Sequence, residues 1–130
     1  MLTIVLKLLQ IASAERAYFG EKDWQQLSLV RGMAAAFFVP TTIVPCVTVR
    51  EPDGLAYSSR NARLTPADRV KAPRLYATIA TAASAEDSVA QLRAAGFVVD
   101  YVVDENGRRL AAARLGGVRL IDNVPIPGAQ

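Results

Sequence analysis

The sequence predicts an α/β chain in two parts: a parallel βαβ unit within residues 1–61, then a small α+β domain over 62–130 with a three-stranded antiparallel sheet. Three observations carry this. A short β-prone run, a long apolar-periodic segment and a second β-prone run follow one another within residues 16–47, the order and length of a strand–helix–strand crossover. Residues 65–96 then read as helices, opened first by Thr65-Pro66 and later by Ser84, both good helix-start signals. Three further apolar runs beyond residue 96 are separated by Asn106-Gly107 and Gly116-Gly117, turn pairs suited to joining antiparallel strands.

Taken in order, residues 1–14 combine an apolar stretch with an Ala-Ser-Ala ending, the outline of a secretory leader. No positive charge precedes the apolar part, Lys7 interrupts it, and it is too short to cross a bilayer. It reads instead as a core helix that enters its pattern at Met1 without an N-cap. Residues 16–20 form a strand closed by Gly20. A helix follows from residue 22 to about 38, with Trp24, Leu27, Val30, Ala34 and Phe37 on one face, and Pro40 stops it. Residues 41–47 form the partner strand, where Pro45 marks a bulge or an edge. Residues 49–61 are a polar loop rich in turn formers. The helix capped by Thr65 runs to about residue 83 with Pro73 as a kink, and the next ends at Gly96. The closing strands fall at 97–103, 108–114 and 118–121.

The composition narrows the function classes. With 130 residues, 52% hydrophobic and 21% charged, the chain is an ordinary globular one, able to bury about two-thirds of its unfolded surface. Collagen-like, disulfide-stapled and membrane-spanning classes are excluded. There is no histidine, so histidine triads, histidine metal sites and a histidine pH switch are excluded too. A single cysteine, Cys46, forms no internal disulfide and points to a reducing cytosol. In its predicted strand it reads as a small buried hydrophobe. Lys and Arg number 15 against 12 Asp and Glu, for a net +3 with no basic run, so neither nucleic acid nor a membrane is the expected partner.

Two segments carry chemistry. The first, Phe19-Gly-Glu-Lys-Asp-Trp-Gln-Gln26, sits at a strand-to-helix junction, where unpaired N–H groups and the positive dipole end favour an anion. Gly20 permits close backbone approach and Lys22 adds a point charge suited to phosphate. Helical spacing would put Lys22, Asp23 and Gln26 on one face, at the carboxyl end of a parallel strand, where open α/β sheets bind ligands. The plainer alternative is that Glu21 and Asp23 only favour a helix start while Lys22 and Gln26 are solvated. The second segment, Asp53-Gly-Leu-Ala-Tyr-Ser-Ser-Arg-Asn61, offers Ser58 and Ser59 as hydroxyl donors and Arg60 as charge, a polyphosphate clamp. No base stands nearby to activate either serine, so binding is the better assignment than covalent catalysis; a plain polar loop is the alternative. Asp100, Asp104 and Glu105 read as solvated hairpin charges rather than metal ligands. Arg108, Arg109, Arg114 and Arg119 are expected on the exposed face of the small sheet, with contact to a partner as the alternative.

These segments bear a resemblance. Residues 17–27, residues 49–61 and the ending Ala112-Ala-Arg-Leu-Gly-Gly-Val-Arg-Leu-Ile-Asp-Asn-Val124 resemble, in order and over nearly the whole chain, the pantoate–β-alanine ligase (pantothenate synthetase) family. The resemblance implies that residues 1–61 are the C-terminal part of a Rossmann-like nucleotidyl-transferase domain. It also implies an activity: joining pantoate to β-alanine through a pantoyl-adenylate, with ATP and magnesium consumed and AMP and pyrophosphate released. By the same match Gly20, Glu21, Lys22 and Asp23 go to ATP, Gln26 to pantoate, and Val49 to adenine through its backbone. Tyr57, Ser58, Ser59 and Arg60 match the mobile phosphate loop, the counterpart of the synthetase KMSKS element.

The chain also departs from the family pattern. Tyr57 stands where the family usually has methionine or an aliphatic residue. The half that carries the paired histidines and a second pantoate-contacting glutamine is missing, and the stretch between Ala83 and Phe97 is brief for the family. Three readings follow: the second half of a split or truncated ligase, a non-catalytic remnant that binds protein or oligomerises, or a stand-alone enzyme of other chemistry. Each leaves a sheet edge unpaired and so implies a homo-oligomer or a separately encoded N-terminal half as partner.

Overall fold

A computed structural model describes residues 1–129 and groups the chain into two units, Met1–Thr48 and Val49–Gln130. Residues 49–61, expected to close the first part, pack with the second unit. Two contacts hold them there: Arg50 is salt-bridged to Asp122 at 2.6 Å, and Leu55 is buried in the second unit's hydrophobic core.

In the first unit, β1 (Arg16–Gly20), α2 (Trp24–Ala36) and β2 (Thr42–Cys46) form the expected crossover, preceded by helix α1 (Leu2–Ala12). β1 and β2 are parallel, in register from Arg16 opposite Thr42 to Gly20 opposite Cys46. The Glu21 N–H extends the ladder by one bond to the Cys46 carbonyl, 2.8 Å away. Pro45 lies opposite Phe19 without a bulge. Among the described residues β2 pairs only with β1, so its proline sits on an edge strand, where a missing donor is tolerated. Helix α2 buries Leu27, Val30, Met33 and Ala34. Phe37 falls past the helix end and is 64% exposed, whereas Met33, one turn earlier, is buried.

Two expectations change here. Helix α1 forms, but as a surface helix: only Leu9 is buried, while Ile4, Leu8 and Ile11 are exposed. Apolar periodicity reports a face that favours burial, not the presence of something that covers it. Cys46 is half-buried rather than buried, because the two-stranded sheet leaves the strand ends open.

In the second unit the single expected helix at 65–83 is two, α3 (Pro66–Lys71) and α4 (Arg74–Thr81). Pro73 ends one and flanks the start of the other, since it has no N–H for the helical ladder. Thr65 caps α3 by accepting from the Asp68 N–H, and Ser84 caps α5 (Ala85–Ala94) by accepting from the Asp87 N–H. Strands β3 (Val98–Glu105), β4 (Arg108–Leu115) and β5 (Val118–Pro125) form an antiparallel meander. Both turns have positive φ at both central residues, 48° and 76° at Asn106-Gly107 and 53° and 81° at Gly116-Gly117, the type I′ geometry that matches strand twist. The core lies between sheet and helices, with Leu75 and Ile79 of α4 and Leu92 of α5 against Ala111, Ala113 and Leu120.

Arg109 is the other correction. It is 5% exposed, not on the open face. Its guanidinium donates to both Asp104 carboxylate oxygens at 2.7 and 3.0 Å and to the Ala82 carbonyl at 2.6 Å, so it also satisfies the end of α4. Arg108 donates to Asn123 Oδ1, and Arg114 and Arg119 both donate to Asp100.

Candidate functional site

The first segment begins where β1 ends. Asp23 is the N-cap of α2, its carboxylate accepting from the Gln26 N–H at 3.1 Å. The helix therefore starts after Lys22, which lies in the turn ahead of it, and the helical spacing expected between Lys22 and Gln26 does not apply. What remains is a strand end, a turn carrying Glu21 and Lys22, and a capped helix start carrying Gln26, with Glu21, Lys22 and Gln26 half-buried and Asp23 exposed. Gly20 is informative. A Cβ built there meets nothing within 4 Å, and its φ is not left-handed. The packing of the described residues thus places no demand for glycine at this strand end, and the space above it is open.

The second segment is a small hairpin running into a 3-10 turn. The Glu51 N–H donates to the Leu55 carbonyl at 2.8 Å and the Tyr57 N–H to the Val49 carbonyl at 3.0 Å, with Arg50 opposite Ala56. Gly54 turns the hairpin at φ 94°, over the Tyr76 ring. Ser58 caps the turn Ser59–Arg63, its Oγ accepting from the Arg60 N–H at 3.2 Å. Its hydroxyl still has a proton to donate. Ser59 and Arg60 are exposed. Tyr57 is 54% exposed, and its phenol is hydrogen-bonded to Glu51, which holds its pKa above the ordinary value. The unusual tyrosine is thereby tied into its own hairpin. Val49, Tyr57, Ser58, Ser59 and Arg60 thus form one connected group, as Gly20 to Gln26 form another.

The loop has a support that sequence patterning does not reveal. Arg50 donates to Asp122 through both Nη atoms, at 2.6 and 2.9 Å, and to the Gly54 carbonyl at 3.1 Å. Its guanidinium lies 3.7 Å over the Tyr76 ring. Burial works against this charge, yet the hydrogen bonds and opposite charge of Asp122 hold the guanidinium pKa above its usual value. The partners are far apart in sequence, so no local spacing signals them.

Elsewhere, Asp100 stands at a register shift in β3, and hydrogen bonds from Arg119, opposed by partial burial and aided by Arg114, hold its carboxyl below the usual range. Among the described residues no group of three or more Cys, Asp or Glu side chains gathers to hold a metal ion. No helix among them is long and apolar enough to cross a membrane.

Residues 1–125 match the Pantoate-beta-alanine ligase family. The pantothenate synthetase of Bdellovibrio bacteriovorus is 54% identical over 126 residues, 97% of this chain and 50% of that protein. That of Coxiella burnetii is 47% identical over 125 residues, 96% of this chain and 49% of that one. Among solved structures, pantothenate synthetase from Thermus thermophilus superposes with a TM-score of 0.87 at 36% identity, over 97% of this chain and 55% of its own. The pantoate-beta-alanine ligase from Francisella tularensis, complexed with beta-gamma ATP and beta-alanine, superposes at 0.86 and 39% identity, over 95% of this chain and 48% of its own. The chain spans about half the length of the curated relatives it matches. Sequence, element order and superposition agree, and the chain belongs to the pantoate–β-alanine ligase family.

Proposed function

We propose that this chain grips the phosphates of ATP and one end of pantoate, and makes pantothenate through a pantoyl-adenylate together with the other half of the ligase fold. The observation that carries the proposal is the superposition on the Francisella tularensis ligase complexed with beta-gamma ATP and beta-alanine, over 95% of this chain. Lys22 and Arg60 supply positive charge, Ser58 and Ser59 supply hydroxyl donors, and Gly20 leaves the strand end open for a phosphate. Acyl activation loads negative charge onto the departing pyrophosphate, and donors fixed in advance stabilise it at least reorganisation cost. Glu21, Asp23, Val49 and Tyr57 complete the ATP contacts, Val49 through its backbone to adenine, and Gln26 orients pantoate. Magnesium enters this proposal as the ion carried by the ATP phosphates.

The test mixes the chain with the N-terminal half of a family member and follows pyrophosphate release with pantoate, β-alanine, ATP and magnesium. The chain alone reads background and the mixture turns over. Lys22→Ala lowers turnover by about 100-fold while the complex stays intact. The second reading, a non-catalytic remnant that binds protein or oligomerises, draws on the exposed Ile4, Leu8, Ile11 and Phe38 of the first unit. A stable complex that never turns over decides for it.

A further inference from the structure

We infer that Arg50, clamped by Asp122 and stacked on Tyr76, is a positioning residue that presents Ser58, Ser59 and Arg60 to the phosphates of ATP, an inference that rests on the nucleotide reading above. The geometry leaves Arg50 little else to do. An arginine so close to a polyphosphate loop would ordinarily be taken for a phosphate ligand. Here its Nη atoms face Asp122 and the Gly54 carbonyl, its charge is matched by a carboxylate whose side chain is 3% exposed, and one face of its plane is taken up by an aromatic ring. It is committed inward.

The connection to the exposed end is direct. Arg50 holds the outgoing arm of the hairpin and, through the Gly54 carbonyl, its tip. The returning arm is held to the outgoing one by the Glu51–Leu55 and Tyr57–Val49 backbone bonds, and buries Leu55 and Ala56. Asn61 Nδ2 donates to the Ala56 carbonyl at 3.0 Å, closing the far side of the Ser58–Arg60 segment. Asp122 is itself fixed, because its Oδ1 also accepts from the Asn123 N–H at 2.8 Å on β5. A chain of short bonds therefore runs from the sheet, through a planar bidentate fork, to the three residues proposed to meet phosphate. A lysine at position 50 would keep the charge and lose the fork.

The experiment titrates ATP into the full chain carrying Arg50→Lys, Asp122→Asn, Tyr76→Phe, Arg60→Ala, or Asp122→Asn with Arg60→Ala, with thermal unfolding measured on each. Arg50→Lys and Asp122→Asn, both folded at the assay temperature, weaken ATP binding by at least about 10-fold, and Tyr76→Phe, which keeps the ring, stays within about 2-fold. Once Arg60 is gone, adding Asp122→Asn costs clearly less than the roughly 10-fold it costs in the wild-type chain, the remainder falling on Ser58 and Ser59, because the brace acts through the loop that Arg60 belongs to. A general loosening of the fold would instead add its full loss in the Arg60→Ala background, and that additivity overturns the inference. Wild-type affinity in Arg50→Lys and Asp122→Asn also overturns it and leaves the nucleotide reading standing. A wild-type chain that binds no ATP overturns both.

Discussion

Gly20 and Arg109 show how differently single residues can be constrained. At Gly20 nothing among the described residues resists a side chain, so Gly20→Ala is expected to keep the unfolding temperature while weakening ATP binding several-fold. Calorimetry on the two proteins, with and without ATP, checks both halves of that statement. Arg109 is the opposite case, buried and fully engaged. Arg109→Met leaves the Ala82 carbonyl and Asp104 without their donor, and is expected to cost about 2–4 kcal/mol in a urea titration. The same pair sets an acid response. The hydrogen bonds from Arg109, against a smaller burial effect and with its charge, hold the Asp104 carboxyl below the usual range. A carboxyl depressed in the folded state contributes stability that is complete above its unfolded pKa, and that is lost as pH falls through the lower folded value. Asp104→Asn is therefore expected to flatten the acid limb of stability against pH below about 4, as read by urea midpoints across that range.

Among the elements, what is legible in the sequence is what local chemistry decides. Thr65 and Ser84 mark helix starts because a hydroxyl three residues ahead of a backbone N–H caps it wherever it occurs. Asn106-Gly107 and Gly116-Gly117 mark hairpins because those residues tolerate positive φ. Gly116→Ala tests that logic. Its φ of 53° strains any Cβ, while the nearest obstacle, Asp68 Oδ2 at 2.5 Å, is the end of a side chain that can move. Backbone strain should dominate, at about 1–2 kcal/mol by chemical denaturation. Helix α2 starts later than its apolar pattern suggests because Asp23, rather than an earlier residue, offers the cap. The Arg50–Asp122 brace and the inward turn of Arg109 are not legible, since each depends on a partner that only the tertiary fold brings near. The candidate site is legible as two motifs, while the support beneath the second is not.

For the whole molecule, the exposed apolar residues matter most. Ile4, Leu8 and Ile11 of α1, with Phe37 and Phe38 beyond α2, are exposed in the first unit, and a groove of about 430 Å³ between the two helices is lined by Leu2, Leu6, Leu29, Met33 and Phe37 among others. Exposed apolar area of this kind drives association. The isolated chain is expected to self-associate with rising concentration, and Leu8→Glu with Ile11→Lys is expected to suppress this without lowering the unfolding temperature. Sedimentation velocity over a concentration series measures it. If the added N-terminal half covers this face, the same two substitutions also weaken complementation, which links association to turnover in one pair of variants.

The two type I′ turns carry a kinetic consequence. A meander whose strands pair with their immediate neighbours in sequence has short loops to close, so its contacts form early and at little entropic cost. The parallel pair β1–β2 must wait for a helix-length crossover before its first bond repays the closure. Unit Val49–Gln130 holds β5 and the loop that it anchors through Arg50. During refolding, strands β3–β5 are therefore expected to gain their protection from hydrogen exchange ahead of the strand that ends at Gly20. The loop bearing Ser58, Ser59 and Arg60, whose Arg50 lies 72 residues from Asp122, is expected to be fixed later than the meander itself.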